Sequence, residues 1–262
     1  MKFRDSVVWI TGGGSGLGRA MALEFSRQGA LVAVSGRRED RLQETVDALP
    51  YPGLAVRCDV NRDEDLEAAV AAVVQEFGKL DVAVANAGFG VSGAICDLDR
   101  EAWRRQLELN VISVALTARV AVPELIKQRG RLALVGSVAA FLPFPKSGPY
   151  TASKAAVLAI GRTLAAELKP LGVSTTTLQP GFVESEIGRV SNQGEFDPNR
   201  EDRRPAQLMW KADDAARVMV HAIYRRKVEY TFTGHGKLGV WLGRHAPWLV
   251  QAVAGYSSKP KE

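Results

Sequence analysis

Cysteine and histidine are both scarce. Among 262 residues there are two cysteines, Cys58 and Cys96, and three histidines, His221, His235 and His245. Two isolated cysteines do not build a disulfide scaffold and suit a reducing compartment. The histidines have no metal-ligand spacing, so no metal site is expected. Long hydrophobic runs are also missing. Val7-Val8-Trp9-Ile10 is too short for a signal-peptide core and runs into glycines. No stretch reads as long enough to cross a bilayer as a helix. Nor does charge of one sign accumulate. Thirty-four Lys and Arg stand against 29 Asp and Glu, interspersed apart from short groups such as Arg225-Arg226-Lys227. A net charge of +5 spread in this way gives little footing for a nucleic-acid partner. There is no repeat, low-complexity tract or linker. A chain that is 46% hydrophobic and 24% charged has the composition of a globular protein with a sizeable core, and a cytoplasmic location is the expectation.

What is present begins with strands and glycines. Residues 6–11 read as a buried strand, apolar and β-branched, broken by glycine. Thr11-Gly12-Gly13-Gly14-Ser15-Gly16-Leu17-Gly18 follows, then a helical pattern to Gln28. A glycine loop between strand and helix lets backbone approach a ligand closely and aims the free N–H groups of the helix start at a phosphate. That context points to a dinucleotide site. The second strand, 31–35, ends in Gly36-Arg37-Arg38. An acidic residue at this strand end would hold the ribose hydroxyls of NAD. Gly36 removes the carboxylate that would repel a 2′-phosphate, and the Arg37 guanidinium can grip one. The expected cofactor is therefore NADP(H), with NAD(H) as the alternative.

Further strands are expected at 54–60, 80–85, 130–137, 173–178 and 228–232, with helices at 63–77, 99–128, 150–169 and 213–224. Strands alternating with helices at this rhythm imply a Rossmann-like, doubly wound parallel α/β sheet of about seven strands in a single domain. Ligands on such sheets lie beyond the carboxyl ends of the strands. Asn110 is unusual as an Asn among apolar helix neighbours, and satisfying a buried backbone group is one reason for it. Residues 186–206 are long, polar and without periodicity, as a substrate lid is. The extension 238–262 is rich in Trp and Leu, and Pro247 should split it into two short segments.

Tyr150 and Lys154 are four residues apart at a helix start, so both side chains leave one face. Tyrosine is a poor acid-base group at neutral pH, since its reference pKa is about 10. A neighbouring ammonium favours the phenolate and lowers that value by roughly 1–3 units. The pair makes sense as a proton donor and its tuner.

Together the glycine loop, Asn86-Ala87-Gly88, Asn110, Ser137, Tyr150-Thr151-Ala152-Ser153-Lys154 and Pro180-Gly181 resemble the short-chain dehydrogenase/reductase family, over roughly residues 5–235. Ala85 departs from the pattern, standing where the family often has a second Asn. Ser185 stands where it often has Thr near the nicotinamide carboxamide. The resemblance implies that Tyr150 exchanges a proton with the substrate oxygen, Ser137 holds that oxygen, Lys154 lowers the Tyr150 pKa and binds the nicotinamide ribose, and Asn110 holds a water linking Lys154 to solvent. It implies that Gly12, Ser15, Gly16 and Gly18 shape the phosphate site with Leu17 behind it, and that Asp59 and Val60 lie by the adenine. Asn86, Gly88, Pro180, Gly181, Val183 and Ser185 complete the implied cofactor site.

The implied activity is NADP(H)-dependent interconversion of a carbonyl and a secondary alcohol. Phe89, Val91, Leu142, Phe144 and Phe182 suggest an apolar small-molecule substrate. A non-catalytic NADP(H)-binding sensor on the same fold is the alternative, and the complete Ser137–Tyr150–Lys154–Asn110 set speaks against it. A homodimer or homotetramer built on the helices carrying Asn110 and Tyr150 is implied by the resemblance. The tail would cover the pocket or reach a neighbour; membrane contact through it is the lesser expectation.

Overall fold

In the computed structural model, residues 1–142, 144–202 and 204–257 are described. Pro143 of the expected pocket wall, Arg203 of the expected lid and residues 258–262 of the extension lie outside them.

One sheet of seven parallel strands organises the chain: β1 (Val7–Thr11), β2 (Leu31–Gly36), β3 (Gly53–Arg57), β4 (Val82–Ala85), β5 (Arg131–Val135), β6 (Ser174–Gln179) and β7 (Glu229–Thr231), in the order β3-β2-β1-β4-β5-β6-β7. The central strand shows why its sequence is apolar throughout. Val8 and Ile10 enter the core on one face, and Val7 and Trp9 enter the core on the other. Side chains alternate along a strand, so a strand covered on both faces has no polar position. The Trp9 indole donates to Ser35 Oγ at 3.0 Å, which removes the cost of burying that N–H.

Helices α1 (Gly16–Arg27), α2 (Glu39–Asp47) and α7 (Ala212–Tyr224) cover one face. On the other lie α3 (Asp63–Phe77), α5 (Ser113–Lys127) and α6 (Gly148–Leu168), while α4 (Arg100–Leu107) leads towards α5 and packs through Ala102 against Phe89 and Val91. The tail forms α8 (Gly234–His245) and α9 (Pro247–Ser257), broken at the expected proline. Strand order reverses between β1 and β4, and the ends of these two strands flank a crevice.

The stretch expected as one helix over 99–128 has a π turn inside it, Glu108–Ile112, which contains Asn110. Such turns insert one extra residue and re-aim a side chain. Together α4, the π turn and α5 run from Arg100 to Lys127, with a window of mean hydropathy 1.6, and by length and composition this helix could cross a membrane. That corrects the expectation that no stretch would. Here Val114, Ala118, Ala121 and Leu125 are buried in the core, which accounts for the apolar pattern.

The face of α6 that meets the sheet carries Ser153, Lys154, Val157, Leu158 and Gly161, all buried. A Cβ on Gly161 would lie 2.0 Å from Thr177 Oγ1 of β6. The missing side chain lets α6 settle onto β6 and sets the depth at which Tyr150 and Lys154 stand.

Candidate active site

The first layer of the site is the turn from β1 to α1. Gly12 and Gly16 have φ of +66° and +51°, the left-handed region that suits glycine. Gly18 is needed for closeness: a Cβ there would lie 2.1 Å from the Gly12 carbonyl oxygen. Asn86, after β4, fastens this turn. Its Nδ2 donates to the Thr11 and Gly12 carbonyls at 2.9 and 3.2 Å, and its backbone N–H donates to Thr11 Oγ1 at 3.0 Å. Ser15 precedes α1 without a side-chain cap bond, and the first turn carries no acid. An anion at this helix start therefore meets free backbone donors and a favourable dipole.

The cleft above this turn has a volume of about 320 Å³. Gly12, Ser15, Gly16, Leu17, Gly18, Arg37, Asp59, Val60, Asn86, Gly88, Ser137, Tyr150, Lys154, Pro180, Gly181, Val183 and Ser185 all line it. A glycine cradle and a helix start fit the phosphates of a nicotinamide dinucleotide, and the groups around Tyr150 fit its nicotinamide end; Arg37 and Arg38 follow β2, and Arg41 lies in α2. Arg37 touches the Gly194 carbonyl only at 3.4 Å, while Arg38 pairs with Glu186 at 2.7 Å and reaches Ser15 Oγ at 3.3 Å.

Beyond β5, Ser137 opens a short 3-10 turn. Its N–H donates to Gln179 Oε1 at 2.8 Å and its Oγ accepts from Ala139 N–H at 3.1 Å. Its hydroxyl faces Tyr150 across the cleft and acts on the phenol. Burial pushes the Tyr150 pKa up, against the lowering effects of the Ser137 hydroxyl and of the Arg204 charge. Lys154 lies buried with Nζ donating to the Val135 carbonyl at 2.8 Å and 5.7 Å from the centre of the Tyr150 ring. Burial pushes its own pKa down to about 8. The expectation that an ammonium would hold Tyr150 below its ordinary value is thus not met in this structure: the lysine is itself desolvated, and the direction at Tyr150 is upward.

Asn110 is completely buried and does not line the cleft. Its Oδ1 accepts from Phe89 N–H at 3.0 Å, and its Nδ2 donates to the Phe89 carbonyl at 2.9 Å and to Ser153 Oγ at 3.1 Å. It fixes the loop after β4 against α6, beside Lys154, and satisfies a buried backbone segment.

Of the expected apolar wall, Phe89 lines the cleft, Val91 is buried, and Phe144 and Phe182 lie against each other with ring centres 6.4 Å apart. Leu142 lies under α8, where a Cβ on Gly239 would be 2.8 Å from it. The tail therefore backs the turn that begins at Ser137. Arg38, Arg41, Cys58, Glu186, Phe196 and Arg204 were not assigned to the site from the sequence, and all of them line the cleft. Arg38 and Arg41 had a signal in their place beside Arg37. Glu186, Phe196 and Arg204 arrive through long-range folding of a segment without periodicity.

Known proteins resemble this chain throughout. The family model described as short chain dehydrogenase matches residues 6–195. Dehydrogenase/reductase SDR family member 4 of Homo sapiens is 36% identical over 191 residues, 71% of this chain and 69% of that protein. A short chain dehydrogenase/reductase from Burkholderia phymatum, solved in complex with NAD, superposes with a TM-score of 0.83 at 28% identity, covering 100% of this chain and 98% of the other. An alcohol dehydrogenase from Thermococcus sibiricus, solved with 5-hydroxy-NADP, gives 0.76 at 26% identity over 87% and 95%. With the match to the family model spanning most of the sheet and most of the family's motifs lining one cleft, the chain belongs to the short-chain dehydrogenase/reductase family of oxidoreductases.

Proposed function

We propose that this oxidoreductase uses NADP(H) to interconvert a carbonyl and a secondary alcohol on an apolar small molecule. The observation that carries the reading is the convergence of Ser137, Tyr150 and a buried Lys154 in one cleft with the glycine turn. The nicotinamide supplies or accepts the hydride when bound. Tyr150 gives its proton to the carbonyl oxygen during reduction and takes it back during oxidation. Its upward-shifted pKa keeps it protonated at neutral pH, which suits the donor role. Ser137, held by Gln179 and by its own turn, donates a second hydrogen bond to the same oxygen. Lys154 holds positive charge beneath the ring and would bind the ribose, while Asn110 fixes the loop and helix that carry these groups.

The preference for NADP(H) rests on Arg37, Arg38 and Arg41 lining the cleft beside Gly36, which puts no carboxylate at the end of β2, with Arg38 already paired to Glu186. Residues 186–206 form the substrate lid in this reading, since Glu186 and Phe196 reach the cleft wall. Exposed Ile112 and Ile126 on the long helix support a homodimer or homotetramer built there. Exposed Leu238, Trp241 and Trp248 give the tail an apolar surface for the pocket mouth or a neighbouring subunit. Two free thiols, at Cys58 and Cys96, accord with a cytoplasmic location.

The test is to mix purified protein with NADPH or NADH and a panel of ketones, aldehydes and sugars, following reduced nicotinamide by absorbance. Turnover of an apolar ketone with NADPH is expected. Tight cofactor binding with no turnover across the panel would favour the sensor.

A further inference from the structure

We propose that Arg204 is a positioning residue for the nicotinamide end of the cofactor, clamping the free edge of the segment that carries Ser185. The proposal rests on the reading that this cleft binds a nicotinamide dinucleotide.

After β6 the chain runs on as Phe182-Val183-Glu184-Ser185, and one edge of this segment is paired. Trp210 N–H donates to the Phe182 carbonyl at 3.0 Å, and Glu184 N–H donates to the Trp210 carbonyl at 2.9 Å. Alternate carbonyls of an extended chain point opposite ways, so those of Val183 and Ser185 face away from Trp210. An unpaired edge in a cleft wall is free to shift. Arg204 occupies it. Nη1 donates to the Val183 carbonyl at 2.9 Å and to Ser185 Oγ at 3.3 Å, and Nη2 donates to the Ser185 carbonyl at 2.9 Å.

The rest of the guanidinium is held by Asp202. Nε lies 2.9 and 3.1 Å from its two carboxylate oxygens, and Nη2 lies 2.7 Å from Oδ2. The Asp202 carboxyl is held below its usual range chiefly by this bond. Gly188 makes the approach possible, since a Cβ there would lie 2.4 Å from Asp202 Oδ1. Each guanidinium nitrogen therefore has an acceptor, so the group works as a clamp and not as a grip for substrate. A planar fork spans two carbonyls and a carboxylate at once, which a lysine ammonium does not.

The clamped segment touches both halves of the site. A Cβ on Gly16 would lie 3.0 Å from Ser185 Cβ, so Ser185 abuts the phosphate-binding turn. Arg204 and Ser185 line the same cleft as Tyr150, and the Arg204 charge acts on Tyr150. Arg204 thereby ties the chain that leaves Ser185 back onto the Ser185 edge.

The experiment compares two ligands in the full chain: NADPH, followed by its fluorescence, and 2′,5′-ADP, which lacks the nicotinamide half. If the wild type prefers NADH, the pair becomes NADH and ADP-ribose. Arg204→Gln should weaken the whole dinucleotide about tenfold, the scale of a lost charge-assisted hydrogen bond, and weaken the fragment much less. Arg204→Lys should fail to rescue it, and Asp202→Asn should shift it in the same direction. Equal weakening of both ligands would reduce Arg204 to general support of the fold and overturn the proposal, as would wild-type affinity for both. If Arg204→Gln does not fold, the other two variants decide by the same comparison. A wild-type protein that binds neither dinucleotide would sink the underlying reading itself, an outcome visible before any variant is made.

Discussion

Lys154→Met isolates the cost of burying this lysine. The side chain is only 6% exposed and its pKa falls from 10.5 to about 8, with burial as the cause. The folded protein therefore gives up this proton about 2.5 units earlier than the unfolded chain does. Between those two values the unfolded state binds more protons, so stability rises with pH and the penalty for the charged lysine fades. Integrated, the penalty is about 3 kcal/mol at pH 7 and about 1 kcal/mol at pH 10. Methionine fills a similar volume without charge but gives up the Nζ–Val135 hydrogen bond, a loss of about 1 kcal/mol. The variant should be more stable than wild type by about 2 kcal/mol at pH 7 and equal to it within about 1 kcal/mol at pH 10. Urea unfolding followed by tryptophan fluorescence at both pH values measures this. Other titrating groups are common to the two proteins, so their effects largely cancel in the difference. A gap of the same size at pH 7 and pH 10 would refute the reasoning, because it would mean that Lys154 titrates alike in the folded and unfolded states.

Tyr150→Phe should fold and bind cofactor while turnover falls at least about a hundredfold, the low end for lost acid-base catalysis; near-wild-type turnover would sink the proposed proton donor. Arg37→Ala should weaken NADPH by about 2 kcal/mol and NADH far less, read by titration. Equal wild-type affinity for the two cofactors would leave Arg37 as a solvated surface residue. Replacing Trp241 and Trp248, 56% and 70% exposed, with serine should lower the assembly mass by light scattering or raise the substrate KM. If neither moves, the tail serves neither an interface nor the pocket; loss of vesicle binding alone would assign it to a membrane.

The order of strands and helices, the glycine turn and the Tyr150–Lys154 spacing were all legible in the sequence, because each depends on neighbours a few residues away. A buried strand such as Val7–Thr11 declares itself by being apolar at every position, and a helix start by what precedes it. Pro247 announced the break between α8 and α9 for the same reason. The environment of each group was decided only by tertiary structure. Lys154 reads as an ammonium that tunes its tyrosine, yet folding buries it against the Val135 carbonyl at the end of β5, where losing water lowers its own pKa and burial raises that of Tyr150. Asn110 reads as a member of the site, yet a π turn and the Phe89 backbone claim its amide. Arg204 had no local signal, since its partners are set by an excursion that leaves β6 and returns before α7. Local spacing determined which groups the chain could bring together; burial, which depends on contacts between distant segments, determined their protonation and their partners.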